Sequence, residues 1–424
     1  MNTIGTYNNT KSILSQAIEW INVLSAIYLT ITFVFPFEYQ RPALYAYFSS
    51  LTIDIIINQR YKNVEWHKSK LVFIPMILFY LAIWIWHIFE DTAIYQFTFA
   101  VENRLPFLIF GILGLFTNIN PKLKPQYIAI PMLITPILCA AYLIISKIQI
   151  SNILASDFSY YQNQFELYRI SVLKASHMDF NLYMNFAILF GLYALYTFKE
   201  KWLKVIISIC MTLTFGLLLT SEGRVGFFTG AILLSGSIAF YIKQQKTKLI
   251  LPTFFLIIFC LMFVITNHKH IKNTSINEDT RVAIWEHAFK VIKEKPILGY
   301  GVSDGRTAFI NNTDKDEKFY TNYLLIYSQS PKCHSIYRAH PHNVFLESII
   351  EFGIIGLILI CSIMILPIIS TKGKQRLFVT ILIFIFGLQS MFEVLRDYLP
   401  PIYLSWFLYI FILSKIDTKK ITNH

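Results

Sequence analysis

The chain reads as an all-α, polytopic integral membrane protein: about twelve transmembrane helices, with a large, partly helical outward loop between helices 9 and 10. Composition gives the first reason. Of 424 residues, 55% are hydrophobic and 16% aromatic, against 15% charged, which is too apolar for a soluble chain of this length. The second is repetition: apolar runs near twenty residues recur throughout, such as "LVFIPMILFYLAIWIWHIF" at 71–89 and "LILPTFFLIIFCLMFVIT" at 249–266. Each is long enough to cross a hydrocarbon core of roughly 30 Å as a helix. The third is the placement of Lys and Arg, which fall on alternate sides of those runs.

In order, the spans lie near 14–36, 42–58, 70–89, 97–117, 127–146, 180–198, 202–220, 225–242, 248–266, 343–369, 377–392 and 398–414. With the N-terminus inside, the inward segments and their edges hold nineteen Lys and Arg against three acids, Glu65, Glu200 and Asp417. The outward loops other than the large one carry seven basic residues: Arg41, Arg104, Lys147, Arg169, Lys174, Arg224 and Arg396. That excess orients the chain with both termini cytoplasmic. The net charge of +12 is therefore a topology signal, and no nucleic-acid partner is expected. The first apolar stretch lacks a small-residue cleavage site and reads as a span. Four of five cysteines lie in spans and Cys333 in a loop, so no disulfide framework follows. Dinucleotide, P-loop and nucleophile-elbow patterns are absent.

Three parts follow: a bundle of nine spans at 1–266, the outward loop at 267–341, and three spans with a short cytoplasmic tail at 342–424. The loop is long for a connection, and loops of that length usually carry function or are disordered. Within "EDTRVAIWEHAFKVIKEKPILGYG", Val282, Trp285, Phe289 and Ile292 share one helical face, Asp279 or Thr280 can cap the start, and Pro296, Gly299 and Gly301 end it. The spacing predicts an amphipathic helix on the bundle or the bilayer surface. Arg281 sits in its first turn, where a cation opposes the helix dipole. It is a solvated surface arginine or part of an anion site. Arg224, two residues after Glu222 in a short outward turn, is a snorkelling interfacial group or a fixed cation at the mouth of a cavity.

The densest polarity is "AHPHNVFLESIIEFGIIGL" at 339–357. Asn343 can cap the tenth span, with His342 at its N-terminus. There the helix dipole favours neutral imidazole, the form that accepts a proton. Glu347 and Glu351 follow Asn343 at four-residue steps, and two carboxylates on one face of a spanning helix demand a polar interior. Gly353 and Gly356 allow close approach of a neighbouring helix. Cys333, His334, His340 and His342 form an alternative metal set, but their spacing fits no common zinc pattern.

These residues resemble the bacterial O-antigen ligase and polymerase superfamily. His342-Asn343, nine residues, Gly353, two residues and Gly356 match its signature; so does Arg281 with Trp285 four residues on and a Pro-x-x-Gly-x-Gly ending, and Arg224 matches the arginine after the seventh span. "SEGR" stands where many members have Ser-Arg. The resemblance covers roughly 180–415 and only the hydropathy of the N-terminal third. It implies a glycosyltransferase of the bacterial inner membrane with its site facing the periplasm. The donor would be a glycan on undecaprenyl diphosphate and the acceptor a lipid A-core sugar or a growing glycan. His342 would be the catalytic base or orienter, Arg224 and Arg281 would hold the diphosphate, and Asn343, Glu347, Gly353 and Gly356 would support the site, with no cofactor or metal. A twelve-span glycan transporter is the rival class. Internal repeats with matched halves would favour it, whereas a single large late loop favours the enzyme.

Overall fold

The computed structural model describes residues 2–35, 37–62, 68–90, 94–116, 120–147, 177–221, 224–245, 280–314, 341–392 and 399–415. Every regular element among them is helical: α1 (Asn2–Thr32), α2 (Phe37–Ile57), a 3-10 segment (Lys68–Phe73) running into α3 (Ile74–His87), α4 (Ile94–Phe116), α5 (Gln126–Lys147), α6 (His177–Thr197), α7 (Lys201–Thr220), α8 (Arg224–Gln245), α9 (Thr280–Glu294), α10 (Val302–Asp314), α11 (Val344–Ser370), α12 (Gly373–Ser390) and α13 (Leu399–Lys415). Eleven of the twelve expected spans coincide with one of these helices; the ninth, 248–266, lies outside the described residues, as do Glu222, Asp279 and the tail from 416. Among the described residues six helices are long and apolar enough to cross a membrane, and α5, α8 and α13 contribute shorter apolar stretches. The protein is an all-α polytopic membrane protein.

Burial sorts the helices. On α6, Leu182, Tyr183, Met184, Phe186, Ala187 and Ile188 are all buried, and so are Asn181 and Asn185, so a helix buried on every side sits at the centre of the bundle. On α7, Val205, Ile206, Ile209 and Leu213 are about half exposed, the outward apolar stripe of a helix that meets lipid. Contacts between helix ends confirm the up-and-down path. At one end, Arg60 after α2 bonds Glu19 of α1 at 2.9 Å and Asp54 at 2.6 Å, and Lys122 bonds Glu19 at 2.9 Å. Burial acts to lower the Arg60 pKa, but its bonds and charges with Asp54 and Glu19 outweigh that and hold it above the ordinary arginine value. At the opposite end, Gln389 of α12 donates to the carbonyl of Met178 at the start of α6, at 2.8 Å. This second end also carries α9 and α10 and is called the loop end below.

α9 and α10 form a small module on the loop end. Ala288, Val291 and Phe309 pack with Leu346 and Ile350 of α11, flanked by Ile284, Trp285, Ile292, Tyr300 and Ala308. The amphipathic helix is thus present, but its inward face differs from the expected one. Trp285 and Ile292 belong to it, whereas Val282 and Phe289 are about half exposed. The small Ala288 lets α9 approach Leu346 and Ile350 where Phe289 would not fit.

Candidate active site at the loop end

The start of α11 is built as its sequence suggests. Asn343 has extended backbone and its side chain accepts hydrogen bonds from the N–H groups of Phe345 (2.9 Å) and Leu346 (3.1 Å). That satisfies two of the amides that a helix start leaves open. Asn343→Ala is expected to cost about 1 kcal/mol of stability, read as a lowered thermal midpoint in detergent.

His342, immediately before the cap, has φ of 48°. A non-glycine residue in the left-handed region is uncommon, though histidine enters it more readily than most, and such conformations persist where the surroundings enforce them. The preceding residue is held from α9: the indole Nε1 of Trp285 donates to the carbonyl of Pro341 at 3.1 Å. Trp285 also packs on Phe392 just past α12, with ring centroids 5.9 Å apart. The guanidinium of Arg281, one turn earlier on α9, lies 5.7 Å from the centre of the same ring, within cation–π range. α9 therefore brings Arg281 and the His342 segment to one corner of the bundle.

A break in α11 completes that corner. Gly353 takes φ of 61° and ψ of −152° inside the helix, so Ile354 cannot bond Ile350 in the usual way. Residues 296–301 repair the ladder. The N–H of Tyr300 donates to Ile350 O (2.9 Å), that of Gly301 to Glu351 O (2.7 Å), and that of Ile354 to Pro296 O (3.0 Å). A Cβ at Gly353 would collide with the Ile297 carbonyl. The close partner of Gly353 is thus the loop, not the neighbouring helix expected. Gly356 faces the Ser348 carbonyl of its own helix across the break. Gly299 and Gly301, with φ of 70° and 89°, let the strand of loop lie flat on the break. The two glycine motifs are halves of one joint.

Buried charge locks this joint. Glu351, 4% exposed, receives both terminal nitrogens of Arg104 at 2.8 Å each. Arg104 was expected in an outward loop; it lies instead inside α4, 2% exposed, because only a bidentate partner offsets the Glu351 carboxylate there. Glu347 is likewise buried, on the same face. Glu90, beyond α3, accepts from the N–H of Ser303 at the start of α10 (2.9 Å) and meets His87 Nδ1 at 2.9 Å. A carboxylate at that helix N-terminus is favoured by the free amides and the dipole. Tyr300 donates its hydroxyl to Glu294 at 2.7 Å; burial, then that carboxylate, pushes the phenol well above its ordinary pKa.

Arg224 opens α8; its backbone alone is described. Two residues on, the Gly226 carbonyl accepts from Asn185 Nδ2 at 3.0 Å, and the Gly226 backbone lies against Asn181. α6 thereby ties the start of α8 to the same end of the bundle, and Gln389 ties α6 to α12 close to Phe392. Of the alternative metal set, Cys333, His334 and His340 lie outside the described residues. Sequence reasoning missed Glu90, Phe392, Gln389 and the pairing of Arg104. Only Arg104 carried a signal: though counted with the outward loops, it falls inside the apolar stretch 97–117, where a charge calls for a partner.

Comparisons with known proteins match part of the chain. The O-antigen ligase family matches residues 209–361, which run from α7 through α9 and α10 into α11 and contain Arg224, Arg281, His342 and both glycine motifs. A Rickettsia felis protein described as a "Putative polysaccharide ligase" is 37% identical over 79 residues. That match spans 19% of this chain and 17% of the relative. The helical module of α9 and α10, joined through Gly299, Gly301 and Gly353 to the broken α11, thus lies inside the stretch of this chain that is similar to the O-antigen ligase family.

Proposed function

We propose that the chain is an inner-membrane glycosyltransferase that moves a glycan from undecaprenyl diphosphate to a sugar hydroxyl, attaching O-antigen to lipid A-core. The observation that carries this reading is the strained His342, braced through Pro341 by the helix that also bears Arg281. In the reaction the acceptor oxygen attacks the anomeric carbon and the bond from that carbon to the diphosphate oxygen breaks. The hydroxyl proton passes to His342 as general base, and the charge gathered on the departing diphosphate is met by Arg281 and Arg224. Asn343, Glu347, Gly353 and Gly356 hold the base and the joint in register. No resident metal is invoked, because two arginines supply the positive charge.

Surface glycan from a deletion strain, run on a gel, tests the reading. Loss of long glycan from lipid A-core, with polymer still on the lipid carrier, is the result for a ligase. A core bearing one repeat means the polymerase of the same superfamily, and unchanged glycan overturns both. Arg281→Ala is expected to lower transfer about 10–100-fold, the loss of charge-assisted hydrogen bonds near 1.5–3 kcal/mol. Lysine restores only part of it, lacking the planar fork. Full activity of the alanine variant would remove Arg281 from the site. The orientation is checked by reporter fusions: one within 267–341 should read periplasmic and one in 370–376 cytoplasmic. The reverse result would put the site on the wrong side for lipid-linked glycans.

A further inference from the structure

We infer that the tip of the outward loop, Ile297-Leu298, is a membrane anchor that sits in the lipid leaflet beside the outer end of α3. Ile297 and Leu298 are 66% and 59% exposed, an unusual state for two adjacent large apolar side chains on a segment whose backbone is locked down. Their main chain is fixed. Ile297 packs its carbonyl against Gly353, and the Leu298 carbonyl accepts from the indole of Trp86 at 2.5 Å. The side chains therefore point outward because the joint holds them so.

Their surroundings identify the occupant. Trp86 belongs to the spanning stretch Lys70–His87, whose Trp84 and Ile85 are about half exposed as lipid-facing residues are. Immediately beyond it, Ile88 and Phe89 are 77% and 79% exposed. Glu90 then turns inward to hold Gly301 and Ser303. Residues 298–303 thus run along the end of α3 from Trp86 to Glu90, and Ile297, Leu298, Ile88 and Phe89 extend the apolar face of the span outward. A partner protein would need its own surface there, whereas the bilayer already covers the adjoining face. The polar neighbours fit a headgroup layer: Trp86 and Tyr300 are interfacial types, and Lys295, with its ammonium 4.4 Å from the centre of the Tyr300 ring, can reach phosphate while its stem stays apolar. Such anchors settle roughly 5–10 Å into the boundary. Because the tip is welded to the α11 break, lipid would brace the module that carries Arg281 and Trp285. This holds whether or not the transferase reading does.

The test uses full-length protein in phospholipid nanodiscs, with native cysteines replaced and Leu298→Cys labelled with an environment-sensitive fluorophore. Ile85→Cys serves as the lipid-facing reference. The expected result is blue-shifted emission, strong quenching by lipid-borne nitroxide comparable with Ile85→Cys, and loss of quenching by aqueous iodide. Iodide quenching with no lipid quenching would overturn the anchor, as would a blue shift with neither, which means coverage by another part of the chain. If labelling disturbs the fold, unmodified protein photolabelled with a diazirine phospholipid decides. Adducts on the peptide holding Ile297 and Leu298 support the anchor, and adducts confined to the spans refute it.

Discussion

His342→Ala is expected to lower glycan transfer by on the order of 10²–10⁴, the range for a positioned general base, while binding of the lipid-linked donor is nearly unchanged. The separation follows from the division of labour proposed above, since the diphosphate is held by arginines and the imidazole acts on the acceptor hydroxyl. The left-handed backbone supplies a control. Asparagine also tolerates that region but cannot accept a proton at neutral pH. His342→Asn should therefore match His342→Ala in rate and the wild type in thermal stability. Purified protein in detergent, given lipid-linked donor and acceptor with and without EDTA, makes the measurement decisive against a metal role. If His334, His340 and His342 formed a metal site, all three alanine variants would be equally damaged and chelation would stop turnover. An active His342→Asn enzyme would end the base assignment outright.

What the sequence shows and hides here follows from range. Asn343 is legible because a cap needs only the next three residues, and the spans are legible because hydropathy is local. The inward stripe of α9 is half legible. Two apolar stripes compete on that helix, and only the shape of the neighbouring helix decides that Ala288 faces in and Phe289 out. The partner of Glu351 is not legible at all, since Arg104 is 247 positions away and nothing local announces the pair. Gly353 shows the subtler loss. A glycine signals close approach, yet whether a helix or a loop approaches depends on a backbone break that appears only when Tyr300, Gly301 and Pro296 supply the missing hydrogen bonds. The positive φ of His342 is likewise hidden, in a segment whose preceding residue is held by Trp285, 57 positions before His342 in the chain.

The buried pair gives the second large effect. Arg104 and Glu351 have side chains 2% and 5% exposed and exchange two hydrogen bonds of 2.8 Å. Deleting one member strands the other's charge without water, which costs about 3–5 kcal/mol. Arg104→Ala and Glu351→Ala are both expected to lower the thermal midpoint sharply. The damage has a specific outlet: Glu351 also offers its carbonyl to Gly301, so a Glu351 that shifts to find water pulls the α11 break away from residues 296–301. Early proteolysis within 295–301, at temperatures where the spans remain folded, is the expected signature. Replacing both partners by leucine removes the stranded charge and should recover most of the stability, because well-packed apolar groups often equal a buried ion pair. The contrast separates electrostatic desolvation from simple loss of volume. If the double variant is as unstable as Arg104→Ala, packing rather than charge governs this contact. If either single variant is as stable as the wild type, the pair does not hold the joint.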